Sequence, residues 1–223
     1  MNNFVKNRSK NVKEFIIFNR IPILIDNPLT NNIILSDIIK KIEGVTHRNY
    51  FQGISKVRIG NYEFLNDRDI NATLHDGTLY LSNMQDNDAD IIDDIFHEVG
   101  HNIEKNYHSE IYGDKKLEEE FLLKRSKLKR ILQNNGLNVD KYDFFEIEYN
   151  QEFDKLLYKD LTYFSLNQLA ANLFCSVYGA TSLSEYYASG FETYLMGDEK
   201  CLKDLSPILY RKINKLTHLL AEK

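Results

Sequence analysis

The chain has no tryptophan, three prolines and two cysteines among its 223 residues. Each scarcity excludes something. With proline only at positions 22, 28 and 207, no proline-rich linker marks a domain boundary. Two cysteines, Cys175 and Cys201, are too few for a disulfide framework or a cysteine zinc site. A single bridge between them stays open. Cys175, inside Leu173-Phe174-Cys175-Ser176-Val177, reads as a buried small hydrophobe. No segment reaches the roughly 18 apolar residues of a membrane helix. A basic surplus is also missing: 28 Lys and Arg stand against 33 Asp and Glu, for a net charge of −5. A nucleic-acid binder would need such a surplus or a basic stripe. Neither nucleic acid nor membrane is therefore expected as a partner.

What remains is an ordinary globular composition, 43% apolar and 27% charged, long enough to bury a core without staples. Two local basic clusters stand out, Lys6-Asn7-Arg8-Ser9-Lys10 and Lys124-Arg125-Ser126-Lys127-Leu128-Lys129-Arg130. The second is interleaved with Leu122, Leu123, Leu128, Ile131 and Leu132, so it reads as the wet face of an amphipathic helix. Glu118-Glu119-Glu120 before it suits the helix dipole and is expected in water. Near the N-terminus, Phe15-Ile16-Ile17-Phe18 and Ile21-Pro22-Ile23-Leu24-Ile25 are split by Asn19-Arg20, and no small-residue cleavage site follows. This is core-forming sequence rather than a signal peptide. The expected location is cytoplasmic if Met1 is the natural start, and extracellular if a leader is removed or another export route is used.

Periodicity predicts a helix over Ile33 to Glu43 and a short strand or hairpin over Lys56 to Phe64. Asp76-Gly77 is a strong turn signal, followed by the β-prone run Thr78 to Ser82. From Asp86 the pattern turns helical, with Ile91, Ile92, Ile95, Phe96, Val99 and Ile103 on one face. From Lys115 onward nearly everything reads as helix, broken near Asn134-Asn135-Gly136, Gly179 to Ser182 and Gly197-Asp198. The expectation is an α+β fold in one domain over 1–223. A small mixed sheet over 1–108 carries an exposed edge strand packed on the motif helix, and an all-helical half follows over 109–223. The edge strand is expected at Thr78 to Ser82, with Leu79 and Leu81 toward the helices.

The chemistry centres on His97-Glu98-Val99-Gly100-His101. On a helix, residues four apart lie one above the other. Two imidazoles so placed suit one zinc ion, and the glutamate after the first can take a proton from bound water. A catalytic zinc needs a third protein ligand and an open position. Metzincins place a glycine three residues and a histidine six residues after the second histidine. Here those positions are Glu104 and Tyr107. A distant glutamate is therefore expected, from among Glu118, Glu119, Glu120, Glu146, Glu148, Glu185 and Glu192. Glu185 is the best placed, where a polar turn enters an aromatic-rich helix. Ser182-Leu183-Ser184-Glu185 also fits a capping box, so a mere cap is the competing role for Glu185. His47 and His75 read as ordinary surface or turn histidines.

His97-Glu98-Val99-Gly100-His101, then Tyr178-Gly179, then Glu185-Tyr186-Tyr187-Ala188 with Phe191 behind it, resembles the anthrax toxin lethal factor catalytic domain and the clostridial Pro-Pro endopeptidases. The resemblance covers roughly Val57 to Leu195. It implies a zincin-like fold and zinc-dependent endopeptidase activity with one zinc per chain. It implies His97, His101 and Glu185 as ligands, Glu98 as base and Tyr178 as oxyanion helper. The chain departs from the pattern at Ser189, where the family usually carries a second, non-ligand glutamate; Glu192 lies three residues further on. The expected partner is a peptide or protein substrate bound as an added strand, with the chain working as a monomer. The competing expectation is a metalloprotease-fold binding module that is catalytically weak or inactive.

Overall fold

A computed structural model of the chain describes residues 15–30, 32–170 and 173–222. The basic cluster Lys6 to Lys10 lies outside the described residues. The fold is α+β, a small mixed five-stranded sheet with helices filling the C-terminal half. Two compact units divide the chain: residues 1–48 with 53–94, and residues 49–52 with 95–223.

In the first unit, β1 (Phe15–Ile17) and β2 (Ile21–Ile25) form an antiparallel pair. The apolar run near the N-terminus is thus core-forming, with Ile17, Ile21 and Ile23 buried. Helix α1 (Leu35–Val45) carries the chain to β3 (Lys56–Gly60), which lies parallel to β2. The segment after β3 does not turn back as a hairpin: Glu63–Asn66 is a short helix, α2. Strands β4 (Ala72–His75) and β5 (Thr78–Ser82) make the predicted hairpin. Its two turn residues, Asp76 and Gly77, have φ of 46° and 70°. Positive φ at both is the twist that suits a two-residue hairpin, and asparagine, aspartate and glycine tolerate it.

The strand order is β1-β2-β3-β5-β4. This corrects the expectation for Thr78 to Ser82. β5 is an interior strand, parallel to β3 on one side and antiparallel to β4 on the other. The alternation of Leu79 and Leu81 reveals a buried face but says nothing about which neighbours pair with the backbone. Leu79 and Leu81 are fully buried, as expected, and Thr78 and Ser82 are buried as well.

Helix α3 (Asp88–Asn106) spans the division between the units. The second unit continues with α4 (His108–Tyr112), α5 (Lys116–Asn134), α6 (Gln151–Lys155), α7 (Tyr163–Leu169), α8 (Leu183–Leu195), α9 (Glu199–Leu205) and α10 (Pro207–Ala221). The break after α5 is longer than predicted and runs to Asn150. Gly136, at φ 81°, ends the helix. Asn138, Asp143 and Asn150 then accept hydrogen bonds from the backbone two residues on. Such local bonds compete with the helical ladder.

Two further expectations are corrected in α5. Lys124 and Arg125 are 6% and 1% exposed, not on a wet face. Lys124 Nζ donates to the carbonyls of Leu173 and Leu205. Arg125 donates to the carbonyls of Ala180, Thr181 and Asp143 and stacks 3.6 Å from the Phe153 ring centroid. Irregular segments leave carbonyls without ladder partners, and buried carbonyls need donors. Burial lowers both cations, Arg125 to about 10. Glu120 is not simply solvated either. It accepts from the Ile208 and Leu209 amides and so caps α10 from outside. Cys175 and Cys201 are free and half-buried, without a bridge.

Candidate metal centre

Helix α3 presents His97, Glu98 and His101, and α8 presents Glu185. The apolar residues of α3 (Ile95, Phe96, Val99, Ile103) are buried, which leaves the motif residues on the half-exposed side. Two small residues set how near the helices come. A Cβ on Gly100 would lie 3.1 Å from the Ala188 Cα and 3.3 Å from the Phe191 Cβ. Glycine inside the motif therefore permits direct backbone approach of α3 to α8. Gly190 instead makes room for the Leu209 side chain of α10, which a Cβ there would overlap.

Ser182 caps α8 by accepting from the Glu185 amide at 3.1 Å. That is the first half of the capping box. The Glu185 carboxylate turns to the histidines. Its Oε2 is 2.9 Å from His97 Nε2 and 3.4 Å from His101 Nε2, although the residues are more than 80 positions apart in sequence. Among the described residues, His97, His101 and Glu185 form the group able to hold a metal ion, with ligand atoms all within 4.8 Å of one another. Tetrahedral bonds of about 2.1 Å put donor atoms roughly 3.4 Å apart. Glu185 Oε2, at 2.9 and 3.4 Å from the two Nε2 atoms, is close to that spacing. The electrostatics agree. Burial would raise Glu185, but His101 and His97 hold it down at about 2. Burial would depress His97 and His101, but the surrounding carboxylates push them up to about 9 and about 10. The cluster draws positive charge into a mostly buried position.

Glu98 is half-exposed beside this group, and its charge acts on both His101 and Tyr178. The Tyr178 ring lies 6.1 Å from the His97 ring, in a 3-10 turn over Tyr178–Ala180. Burial first, then the charge of Glu185, raises its pKa, so the phenol keeps its proton at neutral pH. Arg125, through the Ala180 and Thr181 carbonyls, braces this turn against α5.

The five residues singled out from sequence thus come together. The other glutamate candidates do not join them as ligands. Glu120 caps α10, and Glu118, Glu119, Glu146 and Glu148 are outside the group. His75 is the exposed last residue of β4, beside Asp76. Three further residues join the group: Glu192, singled out from sequence only as a candidate ligand, and Glu104 and Ser184, which were missed. Glu192 Oε2 lies 3.2 Å from His97 Nδ1. Glu104 lies 3.4 Å from His101 Nδ1 and accepts from Ser184 Oγ and from the Tyr112 hydroxyl. Ser184 Oγ is itself 3.1 Å from His101 Nδ1. Helical spacing held a signal for two of them: Glu104 is three residues after His101, and Glu192 is two turns after Glu185. Set against known proteins, the chain matches no family model, no curated protein and no solved structure.

Proposed function

We propose that the chain is a zinc-dependent endopeptidase that hydrolyses peptide bonds. The observation that carries this reading is the convergence of one Glu185 oxygen on the Nε2 atoms of both motif histidines, with Glu98 and Tyr178 beside it. His97, His101 and Glu185 would hold the ion. When bound, zinc supplies Lewis acidity that brings water toward a pKa of about 7 and polarises a carbonyl. Glu98 takes the proton of the attacking water and returns it to the leaving amine. Tyr178, kept protonated by burial and by Glu185, donates its hydroxyl proton in a hydrogen bond to the developing oxyanion. Polypeptide suits this machinery because its amide needs both a base that becomes an acid and a donor to the oxyanion. The substrate is taken in extended form, and β5 is not the strand that receives it, since its backbone is paired on both sides.

The alternative, a binding module without turnover, rests on Ser189 alone. Zinc content and cleavage of a diverse peptide library, with Glu98→Gln as control, separate the possibilities. One zinc per chain and cleavage absent from the control are expected. Less than about a tenth of an equivalent after zinc is supplied would sink the metal reading. Full zinc with no cleavage above the control would favour the binding module.

A further inference from the structure

Both nitrogens of His97 face carboxylates from the same helix. Nε2 meets Glu185 at 2.9 Å and Nδ1 meets Glu192 at 3.2 Å. Glu185, Ser189 and Glu192 follow one another along one side of α8 at spacings of four and three residues. The middle position is 4% exposed, and its side chain lies against Gly179: a Cβ added to that glycine would be 3.4 Å from the Ser189 Cβ. A longer side chain at 189 would press on the turn that carries Tyr178. In this chain the outer two positions carry the carboxylates that reach His97. His101 is served differently, by Glu104 of its own helix together with Ser184.

We propose that Glu192 is the positioning residue for His97, accepting its Nδ1–H so that the Nε2 lone pair is turned to the metal. A neutral imidazole has one donor and one acceptor nitrogen. Engaging Nδ1 as donor assigns Nε2 as the ligand atom and limits ring rotation. The two histidines are then oriented independently. The inference rests on the metal reading of the site, and it makes Glu192, 27% exposed, part of that site without being a ligand.

The test measures zinc dissociation constants of the purified full chain by competition with a chromophoric chelator. Wild type, Glu192→Ala, Glu192→Gln and Glu199→Ala are compared. Glu192→Ala is expected to raise the zinc dissociation constant about 10- to 100-fold, the usual cost of losing an outer partner of a ligand histidine. Glu192→Gln keeps an acceptor oxygen and should recover part of the loss. Glu199→Ala removes the same charge from an exposed site on α9 and should leave the constant unchanged. Thermal midpoints in chelator read folding separately, and if Glu192→Ala does not fold, the Glu192→Gln result decides. Wild-type affinity in the glutamate-192 variants overturns this inference and leaves the metal reading standing. Failure of the wild type to bind zinc overturns both.

Discussion

The sheet unit and the helical unit satisfy their polar groups by different means. Among the described residues of the sheet unit, the buried polar side chains are Thr78, Ser82 and Gln85. Its strands pair their own backbones, and Val57, Ile59, Leu79 and Leu81 fill the space between, each at most 1% exposed. Its Arg58 to Asp26 ion pair stays at the surface. The helical unit instead buries Lys124 and Arg125, and it half-buries Glu104, Glu120 and Glu185. Many helix ends and two long irregular stretches leave carbonyls and amides that no ladder reaches. Charged side chains fill some of those vacancies, as Lys124, Arg125 and Glu120 do. Among the described residues, the group that could hold a metal ion lies in this region of buried charge.

The contrast is sharpest in chemistry. Glu98→Gln should retain zinc and lower turnover by about a hundred- to ten-thousand-fold, the scale of a lost general base. Tyr178→Phe should lower it about a hundredfold with little change in substrate binding. Asp26→Asn in the sheet unit should leave turnover unchanged. Steady-state kinetics on the zinc-loaded chain check all three, and equal activity of Glu98→Gln and wild type would remove the mechanism.

Stability should divide the same way. Arg125→Met strands three carbonyl bonds in the interior and should cost about 3 kcal/mol or more in urea titration. Arg58→Ala, at the surface of the sheet unit, should be close to neutral. If the two variants melt alike, the buried guanidinium is not what braces the Tyr178 turn.

Glycines provide a smaller contrast of opposite sign. Gly100→Ala meets the α8 backbone and should destabilise by about 1–3 kcal/mol through overpacking. Gly44, inside α1, has open space around it, so Gly44→Ala should stabilise by about 0.5–1 kcal/mol. Thermal melts of the two variants give both signs in one experiment, and a stabilising Gly100→Ala would contradict the close helix contact.

The gentlest probe is pH. In chelator, His97 and His101 stand at about 9 and about 10 against a usual 6.5. Their contribution to stability is complete below 6.5 and lost as pH rises through 9 to 10. Glu185, at about 2 against a usual 4.5, contributes above 4.5 and loses its effect as pH falls through 2. The cluster's support is therefore greatest between these limits. Zinc replaces the imidazole protons, so zinc should flatten the alkaline decline and bind more weakly as the histidines protonate. Melting curves across pH, with zinc and with chelator, should diverge on the alkaline side; superposable curves would mean the ion is not at these residues.

The sequence by itself determined what is local. Helical spacing placed His97 and His101 on one face of α3, because side chains four residues apart share a side of any helix. Asp76-Gly77 announced its hairpin, because few residues accept positive φ twice in succession. Ser182 announced the start of α8 through its own hydroxyl. For Glu185 the same four residues supported both a cap and a ligand, and resemblance, not pattern, favoured the ligand. Only the tertiary structure decided that its carboxylate meets the histidines, that β5 is paired on both sides, and that Lys124 and Arg125 are buried. Glu192 was legible as a residue two turns after Glu185, but not as the partner of His97. A side chain's own periodicity fixes which face it occupies. What covers that face depends on segments distant in sequence, and the carbonyls that drew Lys124 and Arg125 inward became unpaired only once those segments had folded.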